Sequence, residues 1–168
     1  MPVPYIGEFE ALIRIPGEWF GFYFWINKAS PYIPNVGGVF VRKNGILYTI
    51  GGGAYVALEL VWRGRSHWTM FALGGGCFLA IGELGRRFPK VSLGVRSMLG
   101  SGICTAGELL TGLVFNRDHA IWDYRQLPGN FLGQICLPFT VLWVPVSALA
   151  AVLFERLDRL IPQTARRG

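Results

Sequence analysis

GGGAYVALEL at residues 51–60 returns, altered but in register, as GSGICTAGEL at residues 100–109. Gly51, Gly53, Glu59 and Leu60 of the first align with Gly100, Gly102, Glu108 and Leu109 of the second. Each stretch lies inside a long apolar run, and each carries an acid. A carboxylate in a segment of hydrocarbon length is costly to bury and is usually kept for a reason. Its double occurrence points to a duplicated unit, glutamate included.

The apolar runs set the fold class. A spanning helix needs about 20 largely apolar residues, and four windows qualify: 46–62, 68–84, 98–115 and 131–154. Only 15% of the residues are charged, against roughly a quarter in soluble domains. The expected fold is an all-α integral membrane protein, a four-transmembrane-helix bundle of two helical hairpins. The second members align as well, Gly74 and Cys77 of GGGC with Gly133 and Cys136 of GQIC. Each copy holds two spans, so the copies share one orientation and form a parallel repeat. Gly53 with Ala57, Gly102 with Ala106 and Gly107 with Thr111 are small-xxx-small pairs expected to let helices approach closely. Pro138 and Pro145 are expected to interrupt the fourth span.

The domain boundary is expected near residue 45, with the transmembrane domain over 46–168. Residues 1–45 read as an N-terminal segment at the cytoplasmic interface. The aromatic run WFGFYFWI at 19–26 is too short to span and suits the headgroup boundary; a packing strap across the bundle is the alternative. The start lacks the basic and apolar regions of a secretory signal, so the first span is expected to act as its own insertion signal.

The net charge of +6 is distributed as a topology signal. Arg42 and Lys43 precede the first window, Arg86, Arg87, Lys90 and Arg96 lie around the middle loop, and Arg156, Arg159, Arg166 and Arg167 follow the last window. The positive-inside bias then puts both termini and the middle loop in the cytoplasm. Membrane lipids, anionic headgroups among them, are the expected partners, and nucleic acid is not. Cys77, Cys104 and Cys136 all fall inside predicted spans, which argues against a disulfide framework. Without a CxxC, HExxH, Walker or dinucleotide motif, no metal and no cofactor is expected.

The two glutamates differ in their neighbours. Glu59 lies near the end of its span with Arg63 at i+4, the favourable order for an ion pair, so an interfacial anchor is as good a reading as a functional acid. Glu108 lies deeper, with Gly112 at i+4 and no cation in local reach. Ser101, Thr105 and Thr111 make a polar stripe on its helix that should face the bundle or a wet cavity. Glu108 then stays neutral or borrows a cation such as Arg63 or Arg65.

The two outer loops hold the rest: Arg63, Arg65, His67 and Trp68, then Asn116, Arg117, Asp118, His119, Trp122, Asp123, Tyr124, Arg125 and Asn130, with Gln134 opening the fourth span. They are expected to converge on a mouth above the glutamates that suits an anionic or zwitterionic ligand, the arginines donating to the anion. For Trp68 and Trp122 an aromatic belt is the competing reading. His67 and His119 have the right range for acid–base chemistry, but no nucleophile motif accompanies them.

The stretch ELVWRGRSHWTMFALGGGCFLAIG, followed by GELLTGLVFN, WDY and LPGNFLGQICLPFTVLW, resembles the small bacterial membrane proteins described as CmpB-like permeases, or ABC-transporter type IV. The eukaryotic transmembrane protein 229 group looks related. The resemblance covers residues 51–157 and implies an integral protein of several spans in the bacterial cytoplasmic membrane. It carries no catalytic residues over. Its transporter label implies an ATPase partner, for which the middle loop holds no recognisable coupling motif, and four spans are few for half of an ABC transporter.

Three functions remain open on sequence. The first is a permease-like transporter subunit, within a homo-oligomer or larger membrane complex, whose glutamates line an outward-facing polar cavity. The second is an enzyme acting on a lipid headgroup with Glu108, His67, His119 and Asp123. The third is a non-catalytic accessory subunit.

Overall fold

The computed structural model describes residues 36–161, with side chains from Arg42 onward. Four long helices follow one another: α1 (Val36–Arg63), α2 (Trp68–Arg87), α3 (Leu93–Phe115) and α4 (Leu137–Leu160), with no strand among the described residues. Each is long and apolar enough to cross a membrane, since 20 residues at 1.5 Å rise span about 30 Å. The surface agrees. Val61 is 89% exposed, Leu149 73% and Met98 67%, so aliphatic side chains face outward from different helices. Lipid covers such a surface, whereas water would not tolerate it. The chain is a polytopic membrane protein.

Local chemistry sets the helix ends. Gly64 takes φ +70° after α1, and its N–H donates to Leu60 O at 3.0 Å, a left-handed cap that favours glycine. His67 caps α2, its Nδ1 accepting from Thr69 N at 3.4 Å. Ser92 Oγ accepts from Val95 N at the start of α3, which extends that helix five residues upstream of the predicted window. α1 likewise starts ten residues before its window. Arg42 and Lys43 do not stop it, because Lys43 pairs with Asp158 on α4 at 2.9 Å.

The fourth window needs the largest correction. Residues 131–136 are apolar yet fold as a turn: Phe131 N donates to Ile135 O at 2.9 Å, and Leu132 and Gly133 both have positive φ. α4 starts only at Leu137. Pro138 therefore sits in its first turn, where a missing N–H is harmless, and only Pro145 lies inside the helix. Gln134 accordingly belongs to the loop, and Cys136 caps the helix instead of lying within a span. The aromatic run at 19–26 lies outside the described residues.

Glycines bring the helices together, at some of the predicted positions and not at others. A side chain on Gly51 would run into Phe78, and one on Gly74 into Tyr55; a Cβ on Gly52 would stand 2.6 Å from Phe71 O. Across α3 and α4, Gly100 faces Ser147 with 2.7 Å for such a Cβ, and Ser101 Oγ donates to Thr140 O at 2.6 Å. Gly53 and Gly102 have nothing within 4 Å of an added Cβ, and Ala57 and Ala106 are exposed. Those two pairs face outward. Gly107 is different, since a Cβ there would meet Leu73 of α2 at 2.6 Å. The alignment of Gly74 with Gly133 also fails in space: Gly74 is buried within α2, whereas Gly133 lies in the loop, facing Arg125 and His119.

One end of the bundle is tied by charge. Arg86 of α2 pairs with Asp158 and lies 4.8 Å over the Phe154 ring, while Arg96 of α3 pairs with Glu155 at 2.7 Å. Beside this end, Leu47, Phe78 and Phe154 form one apolar cluster. A second cluster around Cys77, Ile81, Cys104, Trp143 and Ala151 fills the bundle beneath the glutamates.

Candidate functional site

Glu108 is 4% exposed in the second half of α3. Its Oε2 accepts from Trp143 Nε1 of α4 at 2.9 Å, and its Oε1 from the Tyr124 hydroxyl at 3.3 Å. Both partners are aromatic donors. No hydrogen bond or ion pair joins it to a cation among the described residues, and Arg63 acts on it only through space. Tyr124 comes from the α3–α4 loop and stacks on Phe139 with ring centroids 4.7 Å apart. Trp143 stacks on Tyr55 of α1 at 5.6 Å. Burial and the nearby Glu108 carboxylate push the Tyr124 phenol well up, so it remains a donor at every physiological pH.

Glu59 is held differently. Arg63 pairs with its Oε1, and Ser66 Oγ donates to its Oε2 at 2.5 Å. The other guanidinium nitrogen of Arg63 donates to Ile121 O at 2.7 Å. This unit ties the end of α1 to the α1–α2 and α3–α4 loops. Sequence spacing correctly identified the pair.

Two hollows flank these acids. An apolar groove of about 350 Å³ lies between α1 and α4, walled by Leu58, Val61, Leu142 and Val146, with Tyr55, Trp143, Tyr124 and Phe139 supplying rings and Glu59 with Arg63 on its lining. Glu108 does not line it; the acid sits behind Tyr124 and Trp143. A separate polar cleft of about 410 Å³ lies at the loop end between Arg63, Arg65, Ser66, His67, Asp118 and Ile121. Neither glutamate lines that cleft, so the expected mouth above both acids is two spaces sharing Arg63.

The remaining candidates divide by role. Asn116, Trp122 and Gln134 are buried and bind one another: Asn116 Nδ2 donates to Trp122 O at 2.7 Å and to Gln134 Oε1 at 3.0 Å, Gln134 Nε2 donates to Asn116 O at 2.8 Å, and Trp122 Nε1 donates to Gln134 O at 2.9 Å. They form the hub of the α3–α4 loop. Asn130 donates to Arg125 O and Leu127 O within the same loop. His119 takes φ 58° and places Nε2 at 3.0 Å from Leu132 O. Asp123 pairs with Arg125 on the surface, whose side chain and N–H hold its carboxyl down at about 2.

His67 caps α2, and Trp68 stands 64% exposed, edge-on to Phe115 at 5.4 Å. The polar stripe on α3 splits, Thr105 meeting Thr140 at 3.3 Å while Thr111 lines a second apolar groove between α2 and α3. Burial pushes the Cys136 thiol up, which weakens it as a nucleophile. No cluster among the described residues could hold a metal ion.

Sequence reasoning missed Trp143 and Phe139 as site residues. The one available signal was Trp143 itself, an indole donor inside an aliphatic helix, which needs a partner when buried.

The fold and its buried acid define a polytopic helical membrane protein. Residues 45–166 match the family described as Putative ABC-transporter type IV, and the chain belongs to that family. No curated protein and no solved structure matches it.

Proposed function

We propose that the chain is a permease-like membrane subunit in which the α1–α4 groove admits a substrate from the bilayer and Glu108, behind the rings of that groove, is the acid that acts on it. The observation that carries this reading is the position of Glu108: deeply buried, hydrogen-bonded by two aromatic donors and by no cation, behind rings that line the α1–α4 groove. Intramembrane acids without a cation mark substrate or ion paths. The groups that a headgroup-acting enzyme would use are engaged elsewhere. His67 caps a helix, His119 reaches Leu132 O, and Asp123 is paired with Arg125.

The internal repeat also supports the reading, in a sharper register. Gly51 packs on Phe78 and Gly52 on Phe71 O, just as Gly100 packs on Ser147 and Ser101 binds Thr140 O. Phe71 and Thr140 each lie three residues into their helices, and Phe78 and Ser147 each follow seven residues later. Two parallel hairpins packed alike are a common transporter plan. In this reading the α2–α3 turn and the C-terminal end face the cytoplasm, as the basic residues direct. Exposed Gly53, Ala57, Gly102 and Ala106 leave room for further helices, so the working unit is a homo-oligomer or larger complex. An ATPase partner has no support from the described residues.

Flux into proteoliposomes tests the proposal, using cationic, zwitterionic and anionic fluorescent amphiphiles in separate arms. One class should cross faster than in protein-free liposomes, and Glu108→Gln should slow it about tenfold, a barrier change near 1.4 kcal/mol. No flux in any arm, or flux indifferent to Glu108→Gln, would overturn it.

A further inference from the structure

We infer that the α1–α4 groove selects a lipophilic organic cation: a quaternary or charge-delocalised centre on an apolar body. The inference deepens the permease reading and rests on the groove being the substrate's place of entry. Three observations converge on it.

The first is size and lining. A hollow of about 350 Å³ falls within the range that holds small organic ligands. Its aliphatic walls suit an apolar body, but they would accept any lipid chain equally well.

The second is the rings. Tyr55 and Trp143 form one stacked pair on the lining, and Tyr124 and Phe139 a second. Aromatic faces carry negative quadrupole density and attract cations, most strongly where water is excluded. They attract weakly hydrated cations best, because those give up little on leaving water. Ammonium-type ions with many hydrogen-bond donors would find few acceptors among these walls.

The third is the balance of charge. Glu59, Glu108 and Arg63 are the charged groups of this region, and with both acids ionised they sum to one negative charge. Arg63 is already committed, one terminal nitrogen to Glu59 and the other to Ile121 O. Its Nε is buried and has no hydrogen-bond partner, so it offers nothing to a ligand. Arg65 lines the polar cleft and not the groove. An anion entering would therefore meet the Glu59 carboxylate on the lining, with Glu108 behind Tyr124 and Trp143, and a guanidinium whose terminal nitrogens are already engaged. A neutral chain would gain nothing from the buried acid. A cation gains from both rings and acid.

The test is equilibrium binding to the purified full chain in detergent, with tetraphenylphosphonium compared with tetraphenylborate. The two ions share shape and apolar surface and differ in sign. We expect saturable phosphonium binding about tenfold tighter than borate, with Glu108→Gln removing most of that difference. Val146→Trp, which fills the groove from a partly exposed wall, should abolish phosphonium binding, and it covers the case in which the Glu108 variant does not fold. Equal binding of the two ions, tighter borate binding, or phosphonium binding untouched by Val146→Trp would each overturn the inference. Phosphonium binding without flux in any arm would retain the cation site and remove the permease reading. Flux of another amphiphile class without phosphonium binding would do the reverse.

Discussion

Where α1 turns into α2, residues 64–67 suffice: a glycine cap, Arg65, a serine bound to Glu59 and a histidine cap. Where α3 turns into α4, residues 116–136 fold into a hydrogen-bonded cap around Asn116 and Gln134. The two hairpins share their glycine packing and their glutamate, yet the longer loop changes what the glutamate meets. Glu59 finds Arg63 one turn away on its own helix. Glu108 has Gly112 at that position, and its partners come from the loop, as Tyr124, and from the neighbouring helix, as Trp143. The first acid is satisfied locally and the second by tertiary structure. A repeat can thus keep one acid as an anchor and release the other for a different use.

Breaking the shared part should have the largest effect. Gly74→Leu would drive a whole side chain into Tyr55; extra methylenes alone cost about 1–3 kcal/mol in a packed core, so this variant should not fold, and thermal unfolding in detergent should show no cooperative transition. Gly76→Ala, with nothing within 4 Å of the added Cβ, should leave the transition unchanged or raise it slightly, since alanine favours helices by about 0.5–1 kcal/mol.

Removing the acids should separate the hairpins. Glu108→Ala strands the Trp143 and Tyr124 donors and should destabilise by about 2–6 kcal/mol, at about 1–3 kcal/mol for each unsatisfied buried donor. Glu59→Ala should cost less, about 1 kcal/mol, because the pair is partly exposed and Arg63 retains Ile121 O. Equal losses would remove the distinction between the two acids. Asn116→Ala tests the longer loop alone: it should loosen residues 116–136, seen as a shift in Trp122 emission, while the unfolding of the bundle changes less.

The bundle was legible because hydropathy and length are local properties of a sequence. The ion pair of Glu59 was legible for the same reason, being an i,i+4 relation. The partners of Glu108 were not. Trp143 lies 35 positions from it, and nothing in the spacing of one sequence links an indole on one helix to a carboxylate on another. Residues 131–136 misled because an apolar turn reads like the start of a span; only Gly133 and Pro138 hinted otherwise. Asn116, Trp122 and Gln134 looked like ligand-binding groups because their polarity is visible in sequence, whereas their mutual satisfaction is not.

The smallest effect should come from the surface of that loop. Asp123 has its carboxyl held down at about 2 by Arg125. A depressed value means that the pair's contribution is complete above the ordinary carboxylate range and fades as pH falls toward about 2. Asp123→Asn should therefore leave stability near neutral pH almost unchanged, since exposed pairs contribute little, and NMR titration should find the carboxyl still ionised at pH 3.

The central claim is that Glu108, behind the rings of the groove, is the acid free to react, whereas Glu59 on the lining is held by Arg63 and Ser66. Dicyclohexylcarbodiimide, which modifies carboxylic acids accessible from a hydrocarbon phase, tests this directly when its adducts are mapped by mass spectrometry in the reconstituted full chain. The account predicts an adduct on Glu108, faster in Tyr124→Phe, with Glu59 protected by Arg63 and Ser66. An adduct on Glu59 with Glu108 untouched would contradict it.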